Sequence, residues 1–178
     1  AAIEHEARSA GVNLLMSKPM FKSSLVSAFS RVLGEKEEKE AENKPEIYDF
    51  TGRRVLLVED NAINTEVATV VLESRGFTVD TAENGLRAIE MFSKSEAGFY
   101  DAILMDIRMP LMDGLTAAKN IRHLTNRDAG TVPIIAMTAN AFDDDIEKSK
   151  AAGMNAHLAK PIEPERLFQV LYHFILGQ

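Results

Sequence analysis

The sequence predicts an α/β domain built on a doubly wound, five-stranded parallel sheet with helices on both faces. Three observations carry this reading. From Arg53 onward, short apolar runs alternate with stretches of helical periodicity, as strands joined by right-handed crossovers do. Two of the runs, Val55-Leu56-Leu57-Val58 and Ala102-Ile103-Leu104-Met105, are apolar throughout, as expected of strands covered on both faces. Polar or acidic residues follow directly on the runs, so the chemistry collects at one edge of the sheet.

In order, Val55 to Val58 is the first strand, ending on Glu59-Asp60. Asn61 to Ser74 follows as a helix, with Ile63, Val67, Val70 and Val71 in helical spacing and Gly76 as its stop signal. Phe77 to Thr81 alternates as a second strand, and a helix begun near Glu83 runs through Gly85 to Phe92. The third strand ends on Asp106; Pro110 stops the pairing and Asp113-Gly114 supplies turn chemistry before a helix over Gly114 to Leu124. Val132 to Met137 is the fourth strand, with Pro133 tolerable near its start, then a helix over Asp143 to Ala151. A fifth strand near His157-Leu158-Ala159 and a last helix from Pro164 to Leu176 complete the set.

Upstream, Ala10-Gly11-Val12-Asn13, Ser17-Lys18-Pro19 and Leu25 recur at one constant offset as Ala152-Gly153-Met154-Asn155, Ala159-Lys160-Pro161 and Leu167. Residues 1–34 thus repeat the last helix–strand–helix of the domain, and Phe21, Leu25, Ala28, Phe29, Val32 and Leu33 form an apolar stripe that needs a partner surface. Residues 35–51, rich in Glu and Lys, are read as a charged linker, and residues 52–178 as the domain itself. With no initiator Met, the sequence is expected to be a piece of something longer. Its 178 residues and 46% hydrophobic content suffice for one ordinary domain with something appended, or for two small ones. The net charge of −7 argues against a nucleic-acid surface. Without cysteine there is no disulfide framework or thiolate metal site, which suits a reducing, cytoplasmic setting. No apolar run approaches the ~20 residues that span a bilayer, so direct membrane contact is not expected.

The residues at the carboxyl ends of the strands are Glu59 and Asp60, Asp106, Thr138 and Lys160. If the strand order reverses between the first and third strands, as in the flavodoxin-like order 2-1-3-4-5, they line one crevice. Three clustered carboxylates repel one another, and a divalent cation with hard oxygen ligands, Mg²⁺ (or Mn²⁺) in type, removes the conflict. A Lys and a Thr hydroxyl nearby suit a transferring phosphoryl group, and a carboxylate nucleophile then becomes an acyl phosphate. A plainer reading of Asp106 alone is that it caps the helix beginning near Leu111.

Residues 52–178 resemble the receiver domain of two-component response regulators, most closely receivers of hybrid sensor histidine kinases. The resemblance is carried by Leu56-Leu57-Val58-Glu59-Asp60-Asn61, by Leu104-Met105-Asp106-Ile107-Arg108-Met109-Pro110-Leu111-Met112-Asp113-Gly114, by Pro133 to Ala139 and by Lys160-Pro161. It implies Asp106 as phosphoacceptor, with Asp60 binding Mg²⁺ directly, Glu59 through water and the Arg108 carbonyl completing the protein ligands. It also implies that Thr138 and Lys160 bind the phosphoryl oxygens, that Ala139 leaves room for them, and that Lys160-Pro161 is cis. The implied partner is a histidine kinase or histidine phosphotransfer domain; the apolar helix of residues 1–34 is expected to dock on this receiver or, by self-association, on a second copy of the chain. The receiver would catalyse its own phosphorylation and dephosphorylation without turning over a separate substrate, inside a hybrid histidine kinase or a response regulator. One position departs from the family: His157 stands where the switch residue is usually Tyr or Phe, so the Thr138–aromatic coupling is expected to be weakened. By the same resemblance, residues 1–34 are the end of a preceding, truncated receiver.

The competing functions are a phosphate-independent interaction module, against which the full set of site residues argues, and a haloacid-dehalogenase-type phosphatase. The latter needs a second acid where this chain has Arg108. Asp143-Asp144-Asp145 reads as the acidic first turn of a helix, His5, His123 and His173 have no ligand-spaced partners, and Gly85 and Gly114 read as turn or helix-start residues.

Overall fold

Five strands form one parallel sheet in the computed structural model, which describes residues 48–139 and 143–177. They are β1 (Arg54–Val58), β2 (Thr78–Ala82), β3 (Ala102–Asp106), β4 (Ile134–Thr138) and β5 (Ala156–Ala159), in the order β2-β1-β3-β4-β5. The connecting helices are α1 (Ala62–Glu73), α2 (Gly85–Ser93), α3 (Gly114–Arg122), α4 (Asp143–Ala151) and α5 (Pro164–Ile175). The repeat at residues 1–34 and the charged segment as far as residue 47 lie outside the described residues.

Strand side chains alternate between faces, and the core divides accordingly. Leu56, Val58, Ile103, Met105 and Ala136 pack with Phe92 of α2 and Ile121 of α3. Val55, Leu57, Leu104, Ile135 and Met137 pack instead with Leu72 of α1 and with Leu167, Phe168 and Leu171 of α5. Every residue of β3 and β4 is buried, which is why their sequences show no alternation.

Element ends fall within a residue or two of the expected ones, and the shifts have local causes. Asn61 Oδ1 accepts from Ile63 N (3.0 Å) and Asn64 N (3.1 Å) to open α1, and Asn84 accepts from Arg87 N (2.8 Å) to open α2. α3 is opened by Asp113, which accepts from Thr116 N at 2.7 Å. The helix-cap reading of Asp106 is therefore wrong: the cap is the next acid along. β4 begins after Pro133, which has no N–H to donate, although its carbonyl accepts from Ile103 N at 2.8 Å.

The packed domain also starts earlier than residue 52, inside the stretch read as linker. Phe50 is fully buried, stacked on Phe77 with ring centroids 4.4 Å apart and lying 6.0 Å from Phe168. Its N–H donates to Arg75 O at 2.8 Å. Tyr48 leans on Tyr172 of α5, with centroids 5.0 Å apart. An aromatic strap thus ties the entrance of the domain to its last helix.

The repeated Ala-Gly-x-Asn motif has a structural job in its described copy. Gly153 turns the chain at φ +88, a left-handed conformation that glycine adopts freely. Asn155 then exchanges bonds with Ile134: its N–H donates to Ile134 O (2.7 Å) and its Oδ1 accepts from Ile134 N (2.9 Å). Arg122 clamps the arrangement, donating to Gly153 O (2.9 Å), Ala129 O (2.9 Å) and Asn155 Oδ1 (2.8 Å).

Candidate functional site

The strand order reverses at β1 and β3, so the loops leaving them part to opposite faces and open a crevice at the carboxyl edge. Glu59 and Asp60 enter it from the end of β1 and Asp106 from the end of β3. Oxygen atoms of these three carboxylates lie within 4.8 Å of one another. Glu59 and Asp106 are each only 5% exposed, whereas Asp60 faces solvent. From the other side Lys160 brings its Nζ to 2.6 Å from Glu59 Oε2 and 2.9 Å from Asp106 Oδ2. Backbone amides complete the set: Asn61 N donates to Glu59 Oε1 at 3.2 Å and Arg108 N to Asp106 Oδ1 at 3.2 Å.

These contacts separate the two buried acids. Burial pushes both carboxyls up. For Glu59 the Lys160 hydrogen bond, the Asn61 amide and the Lys160 charge together outweigh burial and hold it below the usual carboxylate range. For Asp106 burial prevails over the same ammonium, and the neighbouring Glu59 charge adds to it, so its carboxyl is held above that range. Lys160 is disfavoured as an ion by burial, but its two carboxylate partners more than compensate and push it up. Three carboxylates against one ammonium leave excess negative charge in a half-enclosed site. Hard oxygen donors with one solvent-facing carboxylate fit a divalent cation that keeps part of its water shell.

Thr138 is buried at the end of β4, beside β3, and its carbonyl accepts from Lys160 N at 2.8 Å. Ala139 follows it, exposed. His157 lies half-buried on edge strand β5 opposite Ala136, so it shares a sheet face with Thr138, two residues further along β4. The Lys160-Pro161 bond is cis, as expected.

Two features of the site escaped the sequence reading. Gly114 is more than a helix start: a Cβ there would lie 2.1 Å from the carbonyl oxygen of Asp106. Leu111 stands in the left-handed region, at φ +67 and 81% exposed, in the loop after Asp106. Beside the crevice, α1 presents Ile63, Val67 and Val70 to solvent, 72%, 60% and 62% exposed. A groove of about 440 Å³ is lined by residues of α1 and around the start of α5, Val67, Ala68 and Ile162 among them, together with Glu59 and Lys160.

This arrangement can be compared with known proteins. The family model described as "Response regulator receiver domain" matches residues 55–172. The chain belongs to the response regulator receiver family. Two-component system protein A of Emericella nidulans is 43% identical over 122 residues, which cover 67% of this chain and 17% of that protein. Hybrid signal transduction histidine kinase I of Dictyostelium discoideum is 39% identical over 121 residues, covering 67% of this chain and 7% of that one. The chain thus spans a small part of the length of these relatives.

Among solved structures, the receiver domain of sensor histidine kinase PA1611 from Pseudomonas aeruginosa has magnesium coordinated in its active site cleft. It is 41% identical with a TM-score of 0.65, the match covering 72% of this chain and 100% of that one. The receiver of Ssk1 from Saccharomyces cerevisiae, solved with the histidine phosphotransfer protein Ypd1, is 27% identical with a TM-score of 0.61; that match covers 69% of this chain and 88% of its counterpart.

Proposed function

We propose that this receiver serves phosphorelay signalling by accepting a phosphoryl group from a phosphohistidine onto Asp106, in a Mg²⁺-dependent reaction. The observation that carries the reading is the pairing of buried Asp106 with Glu59 and with Lys160 Nζ, 2.9 Å from Asp106 Oδ2. Glu59, Asp60, Asp106 and the carbonyl of Arg108 would hold the cation; Mn²⁺ would serve through the same oxygen donors. When bound, the cation offsets the negative charge that gathers on the phosphoryl oxygens.

An oxygen of the Asp106 carboxylate attacks phosphorus in line with the leaving nitrogen. The O–P bond forms as the N–P bond breaks; the electron pair returns to the imidazole, which takes a proton from solvent. Lys160, already beside Asp106, neutralises a phosphoryl oxygen, and the Thr138 hydroxyl donates to another. Ala139 offers no bulk against their approach. Water or a second histidine later takes the phosphoryl group away, so Asp106 is regenerated.

The donor is a histidine kinase or histidine phosphotransfer domain. Asp106 is 5% exposed at the bottom of the crevice, so a donor ring reaches it only if the donor's surface lies on the rim. The exposed stripe of Ile63, Val67 and Val70 on that rim gives such a surface an apolar seat. We place the receiver in the cytoplasm, where ATP-fed kinases make phosphohistidine. With His157 in place of a larger aromatic ring, the β4–β5 face responds less to phosphorylation; the His157 and Thr138 rotamers stay unchanged when beryllofluoride is bound.

Intact mass after incubation with acetyl phosphate tests the chemistry. One added phosphoryl group, dependent on Mg²⁺ and absent in Asp106→Ala, is the expected result. No adduct, together with no binding of beryllofluoride, would refute it and leave a phosphate-independent interaction module.

A further inference from the structure

We infer that Leu111 is a specificity residue: an apolar contact held out over the crevice for the phosphohistidine-bearing partner protein. This rests on the phosphoacceptor reading above. Among the described residues, Leu111 is the one non-glycine with positive φ. Met112 N donates to Pro110 O at 2.8 Å, closing a three-residue turn with Leu111 at its centre, a rare and strained form when the central φ is positive. There the Cβ of an L residue crowds the following carbonyl oxygen. The side chain gains little packing in return, since 81% of the residue is in solvent. Backbone strain and an exposed isobutyl group are two separate costs, and glycine would remove both. Their coincidence in the loop that leaves Asp106 calls for a contact made outside this chain.

The geometry of transfer says what makes that contact. A small donor such as acetyl phosphate enters the crevice without touching its rim. A histidine ring carried on a protein must bring a surface down onto the two loops that frame Asp106 and the acid pair. One frame continues into α1, where Ile63 is 72% exposed; the other holds Leu111. Apolar groups on both sides of an acidic mouth suit a partner whose phosphohistidine is ringed by apolar side chains. Held by its turn, Leu111 meets that partner at little further ordering cost.

The test compares Leu111→Gly and Leu111→Asn, which tolerate the left-handed backbone, with the conservative Leu111→Met. Acetyl phosphate and phosphoramidate serve as small donors and Ypd1 phosphorylated on its histidine as the protein donor. The expected result is labelling by acetyl phosphate within about twofold of the native rate in all variants. With phospho-Ypd1, KM rises roughly tenfold for Gly and Asn with kcat little changed, and Met restores it to within about threefold. The urea midpoint of Leu111→Gly is no lower than that of the native chain. Native KM in the Gly and Asn variants would overturn the inference. So would a native chain that takes phosphoryl from phospho-Ypd1 no faster than from phosphoramidate. If the native chain were not labelled by acetyl phosphate at all, the phosphoacceptor reading itself would fall and take this inference with it.

Discussion

Replacing Gly114 by Ala tests how the backbone behind Asp106 sets the position of its carboxylate. An added Cβ would lie 2.1 Å from the Asp106 carbonyl oxygen, 2.9 Å from its carbon and 3.0 Å from Ile107 Cα. To reach ordinary contact, the end of β3 and the first turn of α3 must separate by about 1 Å. Neither is free to move. Gly114 N donates to Ile107 O at 2.8 Å, Ile107 N to Met137 O at 3.1 Å, and the Asp113 cap holds the start of α3. Such overpacking costs about 1–3 kcal/mol, against less than ~1 kcal/mol regained from the better helix propensity of Ala. The larger effect falls on chemistry, because a misplacement of ~1 Å in a reacting group costs about 100-fold. The expected rate of labelling by acetyl phosphate at saturating Mg²⁺ is therefore about 10- to 100-fold below native, with a lowered urea midpoint. Gly85→Ala is the control: its Cβ would meet Ala117 Cβ at 2.9 Å and Met112 Cγ and O at 3.0 Å, so its nearest contacts lie in α3 and the loop before it. It should lose stability and keep the native labelling rate. A Gly114→Ala chain that is destabilised yet labelled at the native rate would refute the coupling. An unchanged urea midpoint would refute the close approach itself.

Three further outcomes are expected. Phe50→Ala, which empties the aromatic strap between Phe77 and Phe168, should cost about 3–5 kcal/mol in urea denaturation, and the chain that remains folded should still be labelled at close to the native rate. Arg122→Met should cost about 2–4 kcal/mol by thermal or urea melting, since it leaves the Gly153 and Ala129 carbonyls without their donor; Arg122→Lys, lacking the fork, should recover little of it. Asp106→Asn should stabilise the metal-free chain in EDTA at neutral pH. Burial holds the Asp106 carboxyl above its unfolded value, so its cost is absent below the unfolded pKa and grows as pH rises through the folded one. The advantage of Asn should therefore vanish in acid, and added Mg²⁺ should stabilise the native chain in preference to the variant; a gap that widened toward acid would contradict the direction assigned to Asp106.

What the sequence made legible was governed by period and by strand ends. Strands apolar on both faces and helices with one apolar stripe follow from side-chain transfer to the core, so their order could be read from spacing alone. The crevice followed from topology, because a parallel sheet brings every strand's carboxyl end to one edge and Glu59, Asp60, Asp106, Thr138 and Lys160 all stand there. The residues that escaped act through backbone geometry or through contacts distant in sequence, and neither leaves a local signal. Gly114 beside Asp113 has the composition of an ordinary turn, although its missing Cβ makes room for a peptide of β3. Phe50 adjoins a charged stretch and belongs to no periodic pattern, yet two rings from distant parts of the chain enclose it. Arg122 reads as one more solvated cation near a helix end, whereas its three acceptors come from the α3–β4 and α4–β5 connections. Leu111 is the limiting case. Leucine predicts neither positive φ nor exposure, so each departs from local preference, and departures of that kind concentrate where function holds a chain against its own propensities. The sequence patterns account for how the crevice is built; the strained, exposed turn in the loop that leaves Asp106 is the feature they do not account for.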